Sequence, residues 1–172
     1  MITLYLDMDG VLANFHKAFY ANYPRTGDWE PKRFRKAVME ESIFEDLEFM
    51  PNAVMLLDYV DAFKSSHNVS IEILTSMGTF DIEQGQAAKL QKQKWLMSKG
   101  IGYKPNFVRT KHEKAQYATP HSILIDDSYG CIQPFTAAGG HGILHEDAQI
   151  KETLETFYKA VEGIHGLSLI RG

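Results

Sequence analysis

Apolar residues first gather in a short run, Ile2-Thr3-Leu4-Tyr5-Leu6, which stops at Asp7-Met8-Asp9-Gly10. Four more runs of strand length follow: Val69 to Thr75, Asn106 to Val108, His121 to Ile125, and Gly142 to His145. Between them the apolar spacing lengthens to that of helices. Val11, Phe15, Ala18, Phe19 and Asn22 predict a helix ending before Pro24, and Pro24 to Asp28, with Gly27, a turn. Pro31, tolerated as a first helical residue, opens a second helix with Phe34, Ala37 and Val38, to about Glu41. Asn52 predicts the cap of a helix carrying Leu56, Leu57, Val60 and Phe63, ending near Ser65-Ser66. After a polar loop from Met77 to Gln84, the segment Gly85 to Lys99 predicts a helix with Leu90, Trp95, Leu96 and Met97 as its apolar residues and Gly100 as its stop. Lys111 to Ala118 predicts one or two helical turns stopped by Pro120, and the stretch after Asp127 a turn or short helix broken by Pro134. Asp147 predicts the cap of a last helix, in which Ile150, Leu154, Phe157, Tyr158 and Val161 share one face.

Strand and helix alternate without internal repeats. The expected class is α/β, with a Rossmann-like, doubly wound parallel sheet covered by helices on both faces. Residues 14–50 interrupt the alternation after the first strand and are rich in aromatics, with Phe44, Leu47, Phe49 and Met50 set among acids. They read either as a small helical cap over the sheet edge or as an ordinary pair of core helices. The division adopted is a core of residues 1–13 and 51–172 with a cap of residues 14–50.

Composition narrows the function. The chain has 172 residues, 44% hydrophobic and 23% charged, enough for one domain with a real core. A net charge of −4 excludes the basic footprint that duplex nucleic acid requires. The cations at Arg33-Arg35-Lys36 and Lys89-Lys92-Lys94 read as solvated helix faces. The single cysteine, Cys131, excludes an internal disulfide and fits a reducing compartment, so a cytoplasmic location is expected. The start lacks the pattern of a signal peptide, and no apolar run is long enough to span a membrane.

The candidate chemistry lies at the strand ends. In an open α/β sheet, ligands bind beyond the carboxyl ends of the strands, and Asp7 and Asp9 stand there. In an extended chain they would share a face, roughly 6.5–7 Å apart, a gap that suits a tetrahedral group or a hard cation. The fourth run also ends in paired acids, Asp126 and Asp127. Two acid-bearing strand ends read as one site for Mg²⁺, which prefers carboxylates, waters and phosphate oxygens. His141 and His145 do not share a helix face, and Cys131 reads as a packed thiol.

Asp7/Asp9, Thr75/Ser76, a lysine within Lys111–Lys114 and Asp126/Asp127 follow one another as in the haloacid dehalogenase-like (HAD-like) phosphohydrolases. The opening Asp-Met-Asp-Gly-Val-Leu-Ala-Asn-Phe resembles, more closely, the 5′(3′)-deoxyribonucleotidase family. That resemblance extends through Phe44 to Pro51, Leu74-Thr75-Ser76, Lys94-Trp95 and Leu124 to Asp127. It implies a Mg²⁺-dependent phosphomonoesterase acting on small nucleotides through an aspartyl-phosphate. Asp7 would be the nucleophile and Asp9 the general acid and base. Thr75, Ser76 and Lys114 (chosen over Lys111) would hold phosphate. Mg²⁺ would sit on Asp7, the Asp9 carbonyl, Asp126 and Asp127, whose separate roles stay open. Phe15 would pack on the nucleobase, with Phe44 completing the pocket. The expected partner is a nucleotide, with no membrane and no duplex nucleic acid, and homodimerisation is left open. Rival readings are a phosphatase for another small ester or a nucleic-acid 3′-end, and a non-catalytic metal- or nucleotide-binding module.

Overall fold

A computed structural model describes residues 1–25 and 29–170. The turn expected over Pro24–Asp28 therefore lies partly outside the described residues. Five strands, β1 (Ile2–Leu6), β2 (Val69–Ser76), β3 (Lys104–Val108), β4 (Ser122–Asp126) and β5 (His141–Leu144), form one sheet in the order β3-β2-β1-β4-β5. Every pairing is parallel; Leu6 lies opposite Ile73 on one side and Ile125 on the other. The expected α/β class and doubly wound parallel sheet are therefore what the chain forms.

The alternation seen in the sequence explains the strands. In β1, Ile2, Leu4 and Leu6 are buried while Thr3 and Tyr5 are half-buried. All five residues of β4 are buried, as expected of an inner strand covered on both faces. One face carries the larger core, in which Leu4, Leu6, Ile73 and Ile125 meet α3 (Ala53–Ser66) and α6 (Ile150–Ile170) through Phe63, Phe157 and Val161. The other face carries Leu74 and Leu124, covered by Cys131 and Phe135 of α5 (Tyr129–Ala137). Among the described residues no helix is long and apolar enough to cross a membrane.

Strand order reverses at β1, because β2 and β3 lie on one side of it and β4 and β5 on the other. Such a switch point opens a crevice beyond the carboxyl ends of the two diverging strands, here β1 and β4. Residues 14–50 leave and rejoin the sheet beside that crevice. Asn14 N donates to Glu48 O at 2.8 Å and Met50 N to Leu12 O at 2.7 Å, so the two ends of the excursion are tied together. The excursion carries α1 (Phe15–Asn22) and α2 (Pro31–Met39).

Several local expectations change. α4 spans Ile82–Ser98, and its buried residues are Gln84, Gly85, Ala88, Gln91, Lys92, Trp95 and Leu96, whereas Leu90 and Met97 are exposed. Pro134 does not break its segment: it lies inside α5. Asn52 makes no capping hydrogen bond; its Nδ2 donates instead to Asp147 O and Oδ2. Asp147, expected as a cap, uses its carboxylate for this contact and opens a 3₁₀ turn ahead of α6.

Candidate active site

β1 delivers its two aspartates through a tight turn rather than an extended chain. Asp7 N still pairs with Ile125 O at 3.0 Å. The amides of Val11, Leu12 and Ala13 then converge on Met8 O at 3.2, 2.8 and 2.8 Å. Gly10 makes the bend at φ +84°, a region glycine enters without a Cβ penalty. Each carboxylate meets its own buried lysine, while both line the same crevice.

Lys114 lies in a 3₁₀ turn over Lys111–Tyr117, before β4. Its Nζ donates to Asp7 Oδ1 at 2.8 Å and to Asp126 Oδ2 at 2.7 Å. An ammonium has three N–H groups, so one stays available. Asp126, the last residue of β4, also accepts Ser128 N–H on Oδ1 at 2.9 Å. Lys111 also lines the pocket, but its Nζ donates to Ser128 Oγ, at 3.3 Å, and not to the carboxylates. Geometry thus separates the two lysines that the sequence left side by side.

Oxygens of Asp7, Asp126 and Asp127 lie within 4.8 Å of one another. Burial, then the Asp126 carboxylate, pushes the Asp7 pKa up against the pull of Lys114. Asp127 is raised to about 6, first by burial and then by Asp126 and Asp9. Burial opposes the charge of Lys114, but Asp7 and Asp126 outweigh it and raise its pKa. One ammonium therefore faces a surplus of carboxylates. A hard divalent cation fits this donor set, in which every ligand is oxygen and negative charge is in excess. The Asp9 carboxylate is outside the group.

Asp9 belongs to a second cluster centred on Lys92, which is fully buried. Lys92 Nζ donates to Asp9 Oδ2 at 2.7 Å, Thr75 Oγ1 at 2.8 Å and Ser76 O at 2.8 Å, and lies 4.5 Å from the centre of the Phe44 ring. This corrects the reading of Lys89-Lys92-Lys94 as a solvated face for Lys92 alone, since Lys89 and Lys94 are exposed. The signal was present: Ala88, Gln91, Lys92, Trp95 and Leu96 follow the i, i+3, i+4, i+7, i+8 spacing of a buried stripe. Thr75 is wholly buried, with its hydroxyl turned to Lys92. Ser76 lines the pocket, but its hydroxyl donates to Arg109 O and accepts Gly78 N–H.

The crevice holds about 560 Å³. Asp7, Asp9, Lys114, Asp126 and Asp127 form its polar end, and Phe15, His16, Tyr20, Trp29, Phe34 and Phe44 its aromatic wall. Phe15 and Phe44 stack at 5.3 Å with their planes 21° apart. His16, whose pKa burial lowers, faces the same space. Cys131 also lines it, its thiol pushed up to about 12 by burial. His141 and His145 stand apart from each other's partners: Nε2 of the first meets Pro120 O, and Nδ1 of the second meets Thr153 Oγ1.

No family model and no curated protein sequence matches the chain. Among solved structures it is similar to a hydrolase from Streptococcus pneumoniae TIGR4, with TM-score 0.51 and 14% identity, covering 89% of this chain and 97% of that one. It is also similar to D,D-heptose 1,7-bisphosphate phosphatase from Burkholderia thailandensis, with TM-score 0.47 and 16% identity, covering 90% of this chain and 84% of that one. The likeness is one of fold. What the site does rests on its own residues.

Proposed function

We propose that the protein is a Mg²⁺-dependent phosphomonoesterase of the HAD-like kind, acting on ribo- or deoxyribonucleoside monophosphates through an aspartyl-phosphate. The observation that carries this reading is the Asp7–Lys114–Asp126 bridge at the switch point, open to an aromatic-walled crevice.

Lys114 holds Asp7 by Oδ1; Oδ2, which has no hydrogen-bond partner among the described residues, would be the oxygen that attacks phosphorus. A carboxylate forms an acyl phosphate that water readily hydrolyses. The third N–H of Lys114 would hold a phosphate oxygen, joined by the Ser76 hydroxyl once it turns from Arg109 O, with Thr75 buttressing that edge from behind. As the P–O bond to the leaving group breaks, Asp9 gives that oxygen a proton; in the second half it takes one from the attacking water. Asp7, Asp126 and Asp127, with the Asp9 carbonyl, would hold Mg²⁺. When bound, the ion supplies the positive charge that keeps these acids ionised beside a phosphate dianion. Residues 14–50 would act as the cap, with Phe15 and Phe44 against the base. Stacking on such rings accepts any base and contributes about 1–3 kcal/mol.

The direct test is phosphate release from dUMP or dTMP with Mg²⁺. It is expected in the wild type and absent in Asp7→Asn and after chelation. Turnover surviving Asp7→Asn would end the covalent reading, and nucleotide binding without turnover would favour a binding module.

A further inference from the structure

Lys92 is a wholly buried ammonium beside, but outside, the acidic cluster. Burying such a charge is costly unless every donor is used. Here every donor is used: three N–H groups meet three oxygens at 2.7, 2.8 and 2.8 Å. None is left for a substrate, which separates Lys92 from Lys114. Its three acceptors come from two strand ends, Asp9 beyond β1 and Thr75 and Ser76 at the end of β2. The Phe44 ring closes over the ammonium at 4.5 Å and screens it from the crevice. A cation against an aromatic face is held there electrostatically.

The Asp9 carboxylate is otherwise unsupported. Among the described residues its buried Oδ1 has no hydrogen-bond partner, and the bond from Lys92 to Oδ2 is the side chain's only one. Lys92 thus ties the Asp9 side chain to the end of β2. We propose that Lys92 is a positioning residue: it orients the Asp9 carboxyl for proton transfer to the leaving oxygen, and touches neither substrate nor metal. This rests on the phosphomonoesterase reading above. The proton passes from Asp9 to the leaving oxygen as the P–O bond breaks, and Asp9 ends as the carboxylate paired with Lys92.

A leaving group that needs no proton provides the test. A nucleoside 5′-monophosphate expels an alkoxide, which requires an acid; p-nitrophenyl phosphate expels a stabilised phenolate, which does not. The first half-reaction is compared through kcat/KM for both substrates in Lys92→Met and Lys92→Gln, with and without Asp9→Asn. The nucleotide value should fall roughly 10²-fold or more, the scale of general-acid catalysis, and the aryl value by less than about tenfold. In the Asp9→Asn background, Lys92→Met should cost the nucleotide reaction little further, because paired residues are not additive. Equal losses on both substrates, full additivity with Asp9→Asn, or failure of both Lys92 variants to fold would make Lys92 a structural residue and overturn the proposal. A wild type that turns over neither substrate would instead overturn the phosphomonoesterase reading and the proposal with it.

Discussion

Gly10 lies directly against the Asp127 carboxylate, and no side chain fits between them. Gly10 has φ +84°, and a Cβ at this position would overlap Oδ2 and Cγ of Asp127. The turn that delivers Asp7 and Asp9 and the carboxylate that follows β4 are thus built against one another. Gly10→Ala would carry a backbone cost of about 1–2 kcal/mol and force Asp127 from the acidic group. We expect a melting temperature a few degrees lower and a Mg²⁺ requirement shifted to at least tenfold higher concentration, read by thermal melts and by activity against metal concentration. A Gly10→Ala protein with unchanged metal dependence would remove Asp127 from the cation site.

The acidic surplus sets a pH dependence for the metal-free protein. Asp127 is raised from 3.8 to about 6 and Asp7 is raised in the same direction. Between the unfolded and folded values the native state binds more protons than the unfolded chain, so stability falls as pH rises. The loss from Asp127 begins near pH 4 and is complete above about pH 6, and Asp7 extends it upward. Without metal the protein should melt several degrees higher at pH 5 than at pH 7.5, with Asp127→Asn flattening that slope. Added Mg²⁺ should restore stability chiefly at the higher pH. A slope unchanged in Asp127→Asn would place its origin elsewhere.

The sheet was legible in the sequence because each strand is bounded by a change in pattern: Leu6 gives way to Asp7, and Ile125 to a pair of acids. The acidic end of the crevice was legible for the same reason, since strand-end carboxylates declare themselves by position. Lys92 was missed although its spacing from Ala88, Trp95 and Leu96 puts it on the buried stripe, because a lysine counts as polar in any hydrophobic pattern and its burial depends on oxygens supplied by two distant strand ends. The apolar Leu90 and Met97 hid it further by suggesting a helix face that in fact lies in solvent. Lys111 and Lys114 differ by one 3₁₀ turn, and only the packing against Asp7 and Asp126 distinguishes them. Asn52 and Asp147 each carried a capping signal, yet across 95 positions they satisfy one another.

Lys114 holds two carboxylates that would otherwise repel each other without water to screen them. Lys114→Met should therefore cost both reaction and fold. Breaking a buried ion pair from one side typically costs about 3–5 kcal/mol, or roughly 6–20 °C in melting temperature at ~2–4 °C per kcal/mol for a domain of this size. Activity should drop below detection. Protonating the stranded acids removes the repulsion, so the variant's deficit against wild type should shrink between pH 7.5 and pH 5. A deficit independent of pH would mean that packing, and not charge, is what Lys114 contributes.

Phe15 provides the test of whether the proposed phosphatase takes a nucleotide or a smaller phosphate ester. Its ring is buried, stacks on Phe44 at 5.3 Å and on Phe19 at 5.3 Å, and lines the crevice. Leucine would keep most of the packing while removing the flat face, where alanine would open a cavity and confound the result. If the ring receives a base, Phe15→Leu should raise KM for dTMP by about 5- to 150-fold, the equivalent of ~1–3 kcal/mol of stacking. The KM for ribose 5-phosphate, which lacks a base, should change little, since the polar end formed by Asp7, Lys114 and Asp126 is untouched. Steady-state kinetics on the two substrates separate the outcomes. An equal rise for both would mean that Phe15 shapes the crevice without contacting a base, and the substrate would then be sought among smaller phosphate esters.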